Sequence, residues 1–168
     1  MKTAILAAVL AAPPVACPVE ALSVEQRADT GERLGKLIAN LPGGDGDAAK
    51  LAAAAFERAI TDCVARLGWT REQGDAAMQR GSALLVLDRL RVVYTERKID
   101  LTRLDPVIDR LFASPDGNSG AAMLEGMENV LRAQGMVKAG DDPKSLVTLY
   151  IRLRDLVRRA EQDFASGG

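Results

Sequence analysis

ALLVLDRLRVVY, from Ala83 to Tyr94, is the stretch on which the fold turns. Wound as an α-helix at about 3.6 residues per turn, it spreads apolar side chains around most of the circumference. Ala83-Leu84-Leu85-Val86-Leu87 supply the first set and Val92-Val93-Tyr94 the second. A helix that is apolar on nearly every side needs neighbours on nearly every side. The stretch therefore predicts a central, heavily buried helix running from about Arg71 to Lys98.

Helical spacing recurs on both sides of it, and no segment shows a convincing alternation of period two. Upstream, a helix over about Val24 to Asn40 carries a stripe of Val24, Ala28, Leu34, Leu37, Ile38 and Leu41, and Pro42-Gly43-Gly44-Asp45-Gly46 breaks it. The next, about Ala48 to Leu67, aligns Ala49, Ala52, Phe56, Ala59, Ile60, Cys63 and Leu67. Its small residues let a neighbouring helix come close, and Gly68 closes it. Downstream, a shorter element covers Leu101 to Phe112, with Asp105-Pro106 as a cap pair or a kink. A further helix spans about Gly120 to Gln134 through Met123, Leu124, Met127, Val130 and Leu131.

The last helix opens with Asp142 as N-cap and Pro143 at its first position. It carries Leu146, Leu149, Tyr150, Leu153, Leu156, Val157 and Phe164. Short connectors favour antiparallel neighbours. The expected fold is all-α, a single-domain bundle of five or six mostly antiparallel helices with short loops, over residues 22–164 and ahead of a flexible tail at 165–168.

Composition agrees and narrows the chemistry. A chain of 168 residues, 48% hydrophobic and 27% charged, is one globular domain with a real core. Only six aromatic side chains are present, so Leu, Val and Ala fill most of the interior. A net charge of −1 offers no global field for nucleic acid or an anionic membrane, so nucleic acid is not an expected partner. Histidine is absent. That removes Ser-His and Cys-His nucleophile pairs, histidine haem ligation, HExxH zinc sites and the usual helical di-iron centres. No catalytic, cofactor-binding or metal-ligating residue is assigned.

Met1-Lys2, the apolar run from Thr3 to Ala12 and Pro13-Pro14 have the pattern of a secretory signal peptide, expected here over residues 1–21. Val19-Glu20-Ala21 sets small residues ahead of a bond cleaved after Ala21. Pro14-Val15-Ala16-Cys17 resembles a lipobox, which would leave a lipidated Cys17, although Pro14 stands where Leu is usual. Soluble export, to a periplasm or the exterior, is the preferred route. Cys17 and Cys63 are the only cysteines, and either cleavage leaves Cys63 without a partner thiol in its chain. It would then pack as a small apolar residue among Phe56, Ile60 and Leu67. An uncleaved chain holds both thiols, and the sequence leaves open whether they pair.

Two five-residue segments look alike: LSVEQ at Leu22 to Gln26 and WTREQ at Trp69 to Gln73. Ser23 with Gln26, and Thr70 with Gln73, have the spacing of helix capping boxes, and Glu25 and Glu72 suit the positive end of the helix dipole. The same segments resemble the LTxxQ motif of periplasmic helical stress-response chaperones. That resemblance implies an all-α, exported, non-enzymatic protein that binds misfolded clients on a concave surface.

Other polar features have plainer readings. Asp45-Gly46-Asp47 and Asp116-Gly117-Asn118-Ser119-Gly120 do not fit a calcium loop and read as turns. Glu125 with Glu128, and Asp141-Asp142, are the carboxylate pairs a hydrolase would require, and they read as a solvated face and a helix cap. Arg152, Arg154, Arg158 and Arg159 form the sharpest charge feature. With Tyr150 and Ile151 they make a candidate contact surface for an acidic protein or lipid headgroups, provided Ile151 is exposed. The preferred alternative is that these cations complement the helix C-terminus and cover apolar edges. The expected function is an exported non-enzymatic domain working through protein contacts in the envelope or outside the cell. A second copy of the chain is among the admissible partners. A chaperone, a carboxylate hydrolase and a cytosolic structural bundle are the alternatives.

Overall fold

A computed structural model of the chain describes residues 14–41, 43, 46–96, 104–113, 129 and 143–167. The fold is all-α, and among the described residues every regular element is helical. A 3-10 turn at Pro14–Ala16 leads into a short helix, α1 (Cys17–Glu20). Then follow α2 (Val24–Ala39), α3 (Asp47–Leu67), α4 (Arg71–Glu96), α5 (Asp105–Ala113) and α6 (Pro143–Ser166). Apart from Asn129, which is helical and exposed, the helix expected over Gly120 to Gln134, with Glu125 and Glu128, lies outside the described residues, as do Asp116 to Gly120 and the cap residue Asp142.

The ends of the helices follow local chemistry. At the start of α2, the Gln26 amide donates to Ser23 Oγ at 3.2 Å and the Ser23 amide to Gln26 Oε1 at 2.9 Å, a reciprocal box. Asn40 ends α2 in the left-handed conformation (φ 50°) and Gly68 ends α3 in the same way (φ 66°), where a glycine carries no Cβ penalty. Thr70 and Gln73 repeat the box before α4, at 3.0 and 3.2 Å. Pro106 sits in the first turn of α5, where its missing N–H costs nothing, so Asp105-Pro106 opens the helix and does not kink it.

α4 is the central helix, with Leu85, Val86, Leu87, Leu90 and Tyr94 all 1% exposed or less. α3 and α6 run antiparallel to it. Gly81 and Gly74 of α4 lie against Phe56 and Val64 of α3. Along α6, Arg80 bonds Glu161 at 2.8 Å, and Trp69, just before α4, meets Phe164 edge-on at 5.0 Å. Near the other end Tyr94 faces Tyr150. α2 instead runs parallel to α4, since Gly31 lies on Leu85 and Gly35 on Arg89. The larger core joins α4 to α5 and α6 through Leu90, Val93, Tyr94, Leu104, Ile108 and Tyr150. A smaller one gathers Leu22, Phe56, Ala59 and Leu85.

The face of α2 differs from the expected apolar stripe. Val24, Leu37 and Ile38 are 76%, 69% and 56% exposed, and Ala28 is exposed as well. The buried face is Thr30, Gly31 and Gly35, with Leu34 half-buried and Leu41 beyond the helix end. A Cβ on Gly31 would stand 2.5 Å from the Leu85 carbonyl oxygen, so backbone approaches backbone at this crossing. Close approach of two helices gains dispersion contacts along their whole length, and here that gain outweighs burial of Val24 and Leu37. Leu67, expected on the seam of α3, is 45% exposed at its end.

Described residues near both chain ends pack onto the helices. Among the described residues the N-terminal segment is packed: Val15 is 5% exposed, Pro18 under 2% and Leu22 5%. Cys17 and Cys63 form a disulfide, with their Cα atoms 6.2 Å apart, the pairing that the sequence leaves open for the uncleaved chain. α6 runs to Ser166, and the Gly167 amide extends it by donating to the Asp163 carbonyl at 3.0 Å. Gly167 then accepts from Thr70 Oγ1 at 3.1 Å, tying most of the expected tail to the start of α4.

Candidate functional site

The arginine run lies on α6, and the structure separates its members. Tyr150 is fully buried and Ile151 only 5% exposed, so both belong to the core and neither to a contact surface. Arg152 is exposed. Arg154 is half-buried and bridges two carboxylates of α5, Asp105 at 3.2 Å and Asp109. Arg158 bonds Asp155 at 2.9 Å one turn back, and its guanidinium lies 5.4 Å from the centre of the Phe112 ring. Arg159, exposed, pairs with the second oxygen of Asp155.

These contacts form a network between α5 and α6. Its centre is the Tyr150 hydroxyl, which donates to Asp105 Oδ1 at 2.5 Å. Burial holds the Tyr150 hydroxyl above its ordinary pKa of 10.0, and the neighbouring Asp105 carboxylate reinforces that direction. The phenol is thus held in its neutral, donating form. It serves as a fixed donor to a carboxylate and is a poor proton acceptor. Arg154 supplies the balancing charge, so Asp105 accepts from a phenol and a guanidinium at once.

Beside this network lies a groove of about 310 Å³ between α4, α5 and α6. Leu84, Leu87, Phe112 and Val157 line it with carbon, and Arg91, Arg154 and Arg158 approach its edges. The cations there already have carboxylate partners: Asp88 for Arg91, Asp105 and Asp109 for Arg154, Asp155 for Arg158. A wider, more open depression of about 780 Å³ lies where the start of α2 meets α3, beside Arg58, Asp62, Cys63 and Arg66.

Sequence reasoning named the arginines and missed Asp105 and Asp109, which hold Arg154. The available signal was charge complementarity between α5, with acids one turn apart at 105 and 109, and α6. The cap residues are accounted for by helix chemistry. Ser23 Oγ donates to Glu25 at 2.9 Å while accepting from Gln26. The helix-start amides, and then Ser23, lower the Glu25 pKa. The equivalent amides and Thr70 do the same for Glu72. Gln73 additionally donates to the Phe164 carbonyl at 3.4 Å, so the second box also anchors α6.

The fold and this network define an all-α helical bundle whose α5 and α6 are locked by a tyrosine–carboxylate–guanidinium cluster. No protein-family model, curated protein or solved structure matches the chain. The likeness to the LTxxQ family therefore rests on the two capped segments. Among the described residues, no helix is long and apolar enough to cross a membrane.

Proposed function

We propose that the chain is an exported, non-enzymatic helical domain that acts through protein–protein contacts in the cell envelope or outside the cell. The observation that carries this reading is the Cys17–Cys63 disulfide. Such bonds persist in oxidising compartments and are rare where cellular thiols are kept reduced. The basic start and apolar run from Met1 to Ala12 support the same route. Apolar side chains left in solvent support a contact role, with Leu37 and Ile38 adjacent at the C-terminal end of α2. On α4, Val92 is exposed as well, at 47%.

The test combines thiol trapping, fractionation and cross-linking in cells that make the full-length chain. The expected product is oxidised, lies in the envelope or medium fraction, and cross-links to protein. A reduced chain retained in the cytosol would contradict the reading and favour a cytosolic structural bundle. The same exposed apolar residues support a second reading, a client-binding chaperone of the kind the LTxxQ likeness implies. Suppression of aggregation of an unfolded test protein separates the two, because a dedicated contact domain is expected to give none.

A further inference from the structure

We infer that the Cys17–Cys63 bond is a thiol–disulfide exchange site, opened at Cys63 by a small thiol that carries carboxylate groups. The chemistry goes beyond the contact role and does not depend on export. Two features outside the α5–α6 network converge on the pair. The first is the depression of about 780 Å³ where the start of α2 meets α3, a volume suited to a small molecule. Cys63 lines it and Cys17 does not, so a nucleophile entering from solvent reaches Cys63 first. The second is Arg66, whose Nη2 donates to Cys17 Sγ at 3.0 Å. A guanidinium on one sulfur favours its thiolate, and the better-stabilised thiolate is the faster leaving group. Both features favour attack at Cys63 with departure of Cys17.

The lining of the depression selects the attacking thiol. Arg58 and Arg66 line it from α3, with Asp62 the only acid among the lining residues. Among the described residues neither arginine has a carboxylate partner, in contrast to Arg91, Arg154 and Arg158 of the groove beside α6. Two guanidinium groups against one carboxylate favour an anionic visitor. Cys63 itself is only 1% exposed, which admits a small thiol and excludes the folded surface of a dithiol protein. The visitor's thiolate sulfur bonds to Cys63 Sγ as the Cys17–Cys63 bond breaks. Cys17 leaves with the electron pair, as a thiolate beside Arg66. A second thiolate of the same kind then attacks the visitor's sulfur and displaces Cys63, which takes a proton from water. The protein pair gains two electrons, and two small thiols become one disulfide.

The test exposes the full-length, oxidised chain to reduced glutathione, which bears two carboxylates, and to 2-mercaptoethanol, which bears none. Rates are compared per thiolate, with released thiols alkylated and the peptides identified by mass. Glutathione is expected to react about fivefold faster, the effect of one close charge pair in water. It is expected to lose that lead at about 1 M salt. The trapped intermediate is expected to carry glutathione on Cys63 and the alkyl group on Cys17. Arg58→Met is expected to remove the glutathione lead and leave 2-mercaptoethanol unchanged. Arg66→Met is expected to slow both thiols by roughly threefold or more, with Arg66→Lys restoring part of the rate. Both arginines are exposed, so the substitutions are tolerable in the fold, and the wild-type comparison stands without them. Glutathione found on Cys17, equal rates for the two thiols, or reduction no faster than global unfolding would overturn the inference.

Discussion

Ser23 holds the first turn of α2 by accepting from the Gln26 amide while donating to Glu25, and nothing else in the box replaces its hydroxyl. Ser23→Ala is expected to cost about 0.5–2 kcal/mol, read by denaturant unfolding, with the fold otherwise unchanged. Tyr150 makes a sharper case. Its pKa is raised in the folded state, so the stability tied to its neutral form is complete below the unfolded value of 10.0 and is lost as pH rises through the higher folded value. Absorbance titration of tyrosinate is expected to show an ionisation above the ordinary range that Tyr150→Phe abolishes. Ionisation of Tyr150 in the ordinary range would contradict its burial against Asp105. At this scale the caps were legible because a capping box is written within four consecutive residues. The partners of the arginines were not, because Asp105 lies 45 residues from Tyr150 and 49 from Arg154.

Among the elements, α2 is the one whose packing apolar periodicity misjudged. Gly31 and Gly35 face α4 while Leu37 and Ile38 face water, because backbone proximity at Gly31 decides the rotation of the helix. Gly31→Ala sets two effects against each other. Alanine favours a helix interior by roughly 1 kcal/mol, whereas a Cβ 2.5 Å from the Leu85 carbonyl oxygen forces the helices apart. Overpacking of this kind costs about 1–3 kcal/mol, so a net loss of up to about 2 kcal/mol is expected in chemical denaturation. An unchanged or increased stability would mean that α2 is free to shift away from α4. By contrast α4 was legible, since apolar side chains around its whole girth admit only a central position.

For the whole molecule, the disulfide joins the N-terminal segment to α3 across a separation of 46 residues. A loop of that size implies about 4 kcal/mol from restriction of the unfolded chain. A Cys17→Ser, Cys63→Ser double variant is therefore expected to lose stability on that scale, with the larger core among α4, α5 and α6 retained. The all-α class was legible from the recurring helical period and the scarcity of aromatics. The pairing of the cysteines was not, because neighbours along a helix describe only one face and say nothing of a segment arriving from elsewhere in the chain. Peptide mapping of the native protein, with free thiols trapped at lysis and no reductant present, bears most directly on the export reading. One peptide pair joined through Cys17 and Cys63, with no trapped thiol, is the expected result. Cys63 recovered as an alkylated free thiol would contradict it.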